Sequence, residues 1–129
     1  MSEYPPAVLK LAKAISVAEG FGVPGAVPTR ANNPGDLTGT DCGSFQTSGK
    51  ANAEGVWIFT NLADGWEALY LKVNRMLAGK SAIYHLGDTI ETLAGKYTGG
   101  DNAEAWAANV AAFLGVTVTT TLAELAAAG

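Results

Sequence analysis

One acidic residue lies where a charged side chain is not expected. The apolar stripe of the first predicted helix runs through Val8, Leu11 and Ile15, and Glu19 continues it at helical spacing. Gly20 is a helix stop signal, so Glu19 also falls at the negative end of the helix dipole. Burial and the dipole both disfavour the carboxylate and should raise the pKa of Glu19. A carboxylic acid protonated near neutral pH can act as a general acid, whereas a glutamate turned to solvent would do no chemistry.

Three further acids follow in a loop-rich stretch that would wall a cleft. Enzymes that cleave glycosidic bonds usually use two carboxyl groups, so each of these acids is a candidate partner for Glu19. Asp36 and Asp41 are the candidates for a second catalytic acid, although both also fit turn positions. Glu54 precedes Gly55 and is more typical of a solvated turn.

Polar residues near Asp36 are candidates for substrate binding. Arg30, Asn32 and Asn33 could contact a sugar, and Arg30 could equally pair with a surface acid. Pro34 favours an extended backbone at Asn33 and a tight turn after it. The two asparagine amides are therefore also suited to support the backbone of this loop.

Aromatic rings are the second kind of sugar-binding candidate, because sugar rings stack on aromatic faces. Trp57 and Tyr97 are the candidates, and Tyr97 ends a helical stripe beside Gly99 and Gly100. Trp66 and Trp106 lie on apolar helix stripes, which favours a place in the core.

A different chemistry is suggested by the single cysteine and the single histidine. Cys42 and His85 could form the dyad of a thiol amidase or peptidase. Cys42 lies in turn-like sequence, whereas such a nucleophile usually begins a helix that lowers its pKa. With one residue of each type, an intramolecular disulfide and a zinc site of several Cys or His ligands are excluded. We expect no metal and no cofactor.

Length and charge exclude several classes of protein. A chain of 129 residues fits one domain, residues 1–129. Its net charge of -4 disfavours electrostatic binding to nucleic acid or to an anionic membrane. The sequence contains no apolar run long enough to span a membrane and no signal-peptide pattern. We therefore expect a protein made in the cytoplasm, without nucleic-acid or membrane partners, and a monomer.

The pattern of elements predicts a mainly α protein of the α+β kind. The first helix has Ser2 as a cap, Glu3 in its first turn and Gly20 as its stop. Strand candidates at residues 36–38, 44–47 and 56–60 predict a small antiparallel sheet inserted after this helix. Helix caps then follow at four positions: Asn61, Asp88, Asp101 and Thr121. The prediction is about five helices with a small hairpin.

Several motifs, in the same order, resemble those of small phage and bacterial lysozyme-like muralytic domains. They are residues 18–21 (AEGF), 30–37 (RANNPGDL), 64–69 (DGWEAL), 96–102 (KYTGGDN) and 108–111 (ANVA). The resemblance covers nearly the whole chain, and Asn-Asn-Pro-Gly is its most specific part. It implies a lysozyme-like fold related to goose-type lysozymes and lytic transglycosylases, with Glu19 as the acid and a tyrosine such as Tyr97 nearby. Such domains more often carry Asn where this chain has Asp36, which argues against an essential catalytic role for Asp36.

The predicted function is therefore cleavage of β-1,4 bonds in peptidoglycan by an endolysin-like glycosidase, with chitin as a further substrate to test. Delivery to the wall would depend on a holin or on a virion. Two alternatives stay open: a catalytically silent peptidoglycan- or chitin-binding module of the same fold, and the thiol amidase of Cys42 and His85.

Overall fold

The computed structural model describes residues 4–41 and 45–128 of the chain. Within these ranges it contains six helices and one two-stranded antiparallel sheet. In chain order they are α1 (Pro6–Ala18), α2 (Val27–Arg30), β1 (Thr47–Lys50), β2 (Trp57–Phe59), α3 (Leu62–Leu77), α4 (Ile90–Thr98), α5 (Ala103–Leu114) and α6 (Leu122–Ala128). The prediction of a mainly α chain with a small antiparallel sheet after the first helix is confirmed.

Helix α1 ends as its sequence predicts, but it begins later. Pro5 occupies the cap position and makes no side-chain capping bond, and proline is tolerated in the first turn that follows. The predicted cap Ser2 and first-turn residue Glu3 lie outside the described residues. After Glu19, Gly20 adopts a φ of 83°, a left-handed conformation that glycine takes readily. This turn ends the helix and leaves Glu19 as its C-terminal cap.

The sheet is smaller than predicted. The strand predicted at residues 56–60 is confirmed as β2. Its partner β1 begins at Thr47, the last residue of the predicted range 44–47, whose first residue lies outside the described part. The prediction of a strand at residues 36–38 is wrong, because Asp36 has a φ of 53°, which no strand accommodates. Pairing of Thr47 with Phe59 and of Lys50 with Trp57 leaves an irregular register.

Two of the predicted helix caps are confirmed. The side chain of Asn61 accepts a hydrogen bond from the backbone N–H of Asp64 and begins α3. Thr121 and Glu124 bond reciprocally through side chain and backbone N–H, which is a capping box at the start of α6. These caps satisfy backbone donors that the first turn of a helix leaves unpaired.

The other two predicted caps are wrong. Thr89, not Asp88, caps α4, because the Asp88 carboxylate is occupied by the Lys96 ammonium and the backbone N–H of His85. Asn102 stands at the cap of α5 in a left-handed conformation with no side-chain capping bond, one residue after the predicted cap Asp101. The short helix α2 was not predicted, so the described residues hold six helices rather than five.

One hydrophobic core joins the long helices and the sheet. Helix α1 packs against α3 and α5, and α5 packs against α4. Large, fully buried side chains come from α1, β2, α3, α4 and α6: Leu11, Ile15, Phe59, Leu69, Ile90, Leu93 and Leu122. The core therefore fixes the C-terminal end of α1, where Glu19 lies, against the α4–α5 pair.

Candidate active site

Glu19 lines an open cleft of about 550 Å³. The cleft lies between the end of α1, the loop after α2, the approach to β2, and the α4–α5 turn with α5. Among the described residues, its lining includes four carboxylates and no basic side chain. The four are Glu19, Asp36, Glu54 and Asp101. A cleft with this lining has a negative potential and could stabilise a developing positive charge.

Within the described part of the chain, one side-chain hydrogen bond holds the Glu19 carboxyl group. Its Oε2 accepts from Nε1 of Trp106 at 2.7 Å. Trp106 is only 4% exposed and belongs to the core, so its indole is held by packing. The sequence predicted the burial of Trp106 and missed this contact, although a buried indole N–H usually needs an acceptor. That need is the signal that could have linked the two residues.

The pKa of Glu19 is raised from 4.5 to about 7. Burial is the largest cause, because it penalises the charged carboxylate, and the nearby charge of Asp36 raises the pKa further. The hydrogen bond from Trp106 and the positive charge of Lys72 act in the opposite direction. The rise agrees with the direction predicted from the sequence. At neutral pH a large share of Glu19 is protonated, as a general acid requires.

Tyr97 connects three parts of the site. Its hydroxyl donates to the carbonyl oxygen of Gly35 at 2.6 Å, and its ring stacks on Trp106 at 5.1 Å between centroids. The Lys72 ammonium lies 4.5 Å from the ring centroid on one face. Burial raises the pKa of Tyr97 well above its usual value, so the hydroxyl stays a donor. Tyr97 therefore braces Trp106, and through it the Glu19 carboxyl group, against the loop that carries Asp36.

Asp36 lies on the same cleft as Glu19. It has a left-handed backbone, which aspartate and asparagine adopt more readily than most residues. Burial, and then the negative charge of Glu54, raise its pKa. The charge of Asp36 in turn raises the pKa of Glu19, as expected for two carboxyl groups that line one cleft.

Asp41 and Arg30 are not among the residues that line the Glu19 cleft. Asp41 Oδ2 is 2.6 Å from the Lys72 ammonium and lines a neighbouring cavity rather than the Glu19 cleft. Arg30 is exposed, and its Nε donates to the carbonyl oxygen of Gly25. The fold thus brings Asp36, and not Asp41, to the cleft of Glu19.

The side chains of Asn32 and Asn33 contact backbone groups, in agreement with the interpretation that they support the loop backbone. Asn33 is fully buried, its Nδ2 donates to the carbonyl oxygens of Leu37 and Trp57, and its Oδ1 accepts from the N–H of Leu37. Asn32 has a φ of 52° and donates from Nδ2 to the carbonyl oxygen of Phe59 at 3.2 Å. Both amides tie the loop before Asp36 to β2 and its approach.

Trp57 is half-buried outside the lining of the Glu19 cleft. Its Nε1 donates to the carbonyl oxygen of Gly39 at 2.7 Å, and the Lys50 ammonium lies 4.8 Å from its ring centroid.

The thiol alternative depends on His85 and Cys42. His85 is exposed and its backbone N–H donates to Asp88, while Cys42 lies outside the described residues.

Replacement of Trp106 by Phe should raise the pKa of Glu19 above 7. The indole N–H stabilises the carboxylate, and Phe keeps most of the ring but removes this donor. The titration of the Glu19 carboxyl carbon, followed by NMR, should therefore move to higher pH. Trp57→Phe is the matched control, because it removes an indole hydrogen bond to a backbone carbonyl instead. An unchanged or lowered pKa in Trp106→Phe would show that this hydrogen bond does not control Glu19.

Comparisons with protein-family models, curated proteins and solved structures return no match to this chain. Across residues 4–41 and 45–128, no helix is long and apolar enough to cross a membrane. Over the same ranges, no group of three or more His, Cys, Asp or Glu side chains is placed to hold a metal ion.

Proposed function

We propose that this chain is a glycoside hydrolase of lysozyme-like fold that cleaves β-1,4 bonds of peptidoglycan with Glu19 as its general acid. The observation that carries the proposal is the Glu19 carboxyl group, held by Trp106 at 2.7 Å on an open cleft, with a pKa of about 7. A carboxyl group that is protonated near neutral pH, fixed in direction and open to a ligand fits the acid of a glycosidase.

The proposed reaction begins with proton transfer. Protonated Glu19 donates its proton to the glycosidic oxygen as the bond to the anomeric carbon breaks. Positive charge then develops on the sugar ring, and the carboxylates that line the cleft stabilise it. Water, or a hydroxyl group of the same sugar, then bonds to the anomeric carbon and gives its proton to the Glu19 carboxylate, which restores the acid. Asp36 is the best placed of the cleft carboxylates for a second role, because it shares the cleft and interacts electrostatically with Glu19. Asp41 is less suited, because it forms an ion pair with Lys72 in the neighbouring cavity.

The arrangement of elements also supports the proposal. A glutamate caps the first helix, a small sheet follows, and helices α3 to α6 complete the chain. Four of the five motifs that resemble lysozyme-like domains contribute residues to the same cleft, among them Glu19, Asp36 and Tyr97. A mainly α protein with its acid at this position has the organisation expected of that group.

Two other functions would depend on different features of the protein. A silent binding module of this fold would have no use for a half-buried carboxyl group with a pKa near 7. A thiol amidase would depend on Cys42 and His85 and would cleave an amide rather than a glycosidic bond.

Digestion of purified peptidoglycan tests the proposal directly. We expect soluble glycan fragments with new reducing ends or anhydro ends, which mass spectrometry of the products distinguishes. Anhydro ends would identify an intramolecular hydroxyl, rather than water, as the group that completes the reaction. New free amino groups without shortened glycans would instead indicate the amidase. Tight binding to the wall with no new ends of any kind would indicate a binding module.

A further inference from the structure

A second cavity, of about 540 Å³, adjoins the cleft of Glu19. Thr38 and Tyr97 line both spaces, so the two are neighbours along one surface. One face of α3, the loop at residues 81–84 and the end of α4 form the other walls. We name this space the basic cavity, after three side chains that line it: Lys72, Arg75 and Lys96.

The basic cavity and the Glu19 cleft carry opposite charges. The chain has eight basic residues and a net charge of -4, yet three of the eight line this one cavity. Asp41 is the acidic residue among its described lining, whereas the cleft of Glu19 is lined by four acids. This charge contrast favours a ligand that is anionic on one side of Tyr97 and neutral on the other.

Within the basic cavity, the charge of Arg75 is the one left uncompensated. Lys72 is 2.6 Å from Asp41, and Lys96 is 2.7 Å from Asp88. Among residues 4–41 and 45–128, no carboxylate forms a salt bridge with Arg75, whose exposed guanidinium contacts the carbonyl oxygen of Lys80 at 3.4 Å. A planar guanidinium with free donors matches the geometry of a carboxylate.

We propose that the basic cavity is a subsite for a carboxylate carried by the glycan strand, with Arg75 as its anchor. The inference rests on the proposed function, and it places the acidic substituent across Tyr97 from Glu19. In peptidoglycan the carboxylate can belong to the attached peptide or, where the peptide has been removed, to the lactyl group of muramic acid, which the peptide otherwise converts to an amide. A neutral chito-oligosaccharide has neither, so the subsite would favour peptidoglycan over chitin.

The test is a binding titration of variants that do not consume the ligand. Glu19→Gln is combined with Arg75→Gln, and the control combines it with Lys10→Gln. Lys10 is an exposed residue of α1 that lines neither the cleft nor the basic cavity. The ligands are peptide-bearing glycan fragments, glycan strands with lactyl carboxylates only, and a neutral chito-oligosaccharide of equal length. Arg75→Gln should weaken binding of a carboxylate-bearing ligand about tenfold or more, the effect of one charge-assisted hydrogen bond.

The outcomes separate the subsite from the enzyme. Binding of the chito-oligosaccharide should be the same in both double variants, and Arg75→Lys should retain part of the affinity for the acidic ligand. A loss for the lactyl ligand alone identifies the lactyl carboxylate, and a loss for the peptide-bearing ligand alone identifies a carboxylate of the peptide. A loss for both shows that the subsite accepts either carboxylate. No loss, or an equal loss for the neutral ligand, would overturn the subsite. If wild-type protein cleaves no glycan but the selective loss persists, the subsite stands and the proposed hydrolase does not.

Discussion

Replacement of Glu19 by Gln should lower the rate of peptidoglycan cleavage by about 10²–10⁴-fold, the usual contribution of a general acid. Gln keeps the size of the side chain, and its amide oxygen can still accept from Trp106 Nε1. It cannot supply a proton of suitable acidity to the leaving oxygen. The variant should therefore still bind glycan fragments while it barely cleaves them. Release of new glycan ends and equilibrium binding, measured on the same preparation, check both parts.

The same variant should become more stable than the wild type as the pH rises. The pKa of Glu19 is about 7 in the folded protein, whereas its ordinary value is 4.5. The folded state therefore binds this proton more tightly than the unfolded state does. The carboxylate therefore destabilises the folded state progressively between these two values, and Gln removes that effect. Thermal unfolding should show little difference between the two proteins at about pH 4 and the largest gain for Glu19→Gln above about pH 7.

Two matched variants control this experiment. Glu104→Gln makes the same change at an exposed position of α5 outside the cleft lining, and should alter neither rate nor stability appreciably. Asp36→Asn should reduce the rate much less than Glu19→Gln, because asparagine also tolerates the left-handed backbone at this position. Near-normal turnover by Glu19→Gln would contradict the mechanism. An inactive Asp36→Asn beside an active Glu19→Gln would identify Asp36 as the essential carboxyl group.

Gly65→Ala should destabilise the protein strongly, by about 1–3 kcal/mol or more, the usual range for overpacking a core. Gly65 is buried in the first turns of α3, and a Cβ there would overlap the backbone oxygen of Asn32 and lie 3.1 Å from Pro34 Cδ. Backbone cannot move aside as a flexible side chain can. The substitution would push α3 away from the loop that leads to Asp36, so glycan cleavage should fall as well.

Gly95→Ala is the matched control for this prediction. Gly95 is exposed within α4, and a Cβ there would meet no atom within 4 Å. Alanine should therefore stabilise the helix by roughly 0.5–1 kcal/mol relative to glycine. Urea unfolding of the two variants should thus give changes of opposite sign. Equal stabilities for Gly65→Ala and the wild type would show that α3 does not pack against this loop as closely as the geometry requires.

Features that depend on near neighbours in the chain could be predicted from the sequence. The stripe that ends at Glu19, the stop at Gly20 and the capping box of Thr121 and Glu124 each involve residues a few positions apart. Helical periodicity and backbone hydrogen bonding within one turn are local, so they can be predicted from residue types and spacing. For the same reason, the sequence could place Glu19 at the end of a buried helix face and predict a raised pKa.

The residues that contact Glu19 and line its cleft could not be predicted in this way, because they come together through tertiary packing. Trp106 donates to it across 87 positions of sequence, and Tyr97 reaches Gly35 across 62. The choice between Asp36 and Asp41 depended on which of them the loop turns into the cleft. Periodicity carries no information on such contacts, because packing of whole helices and loops brings these side chains together and the chain between them can take many paths.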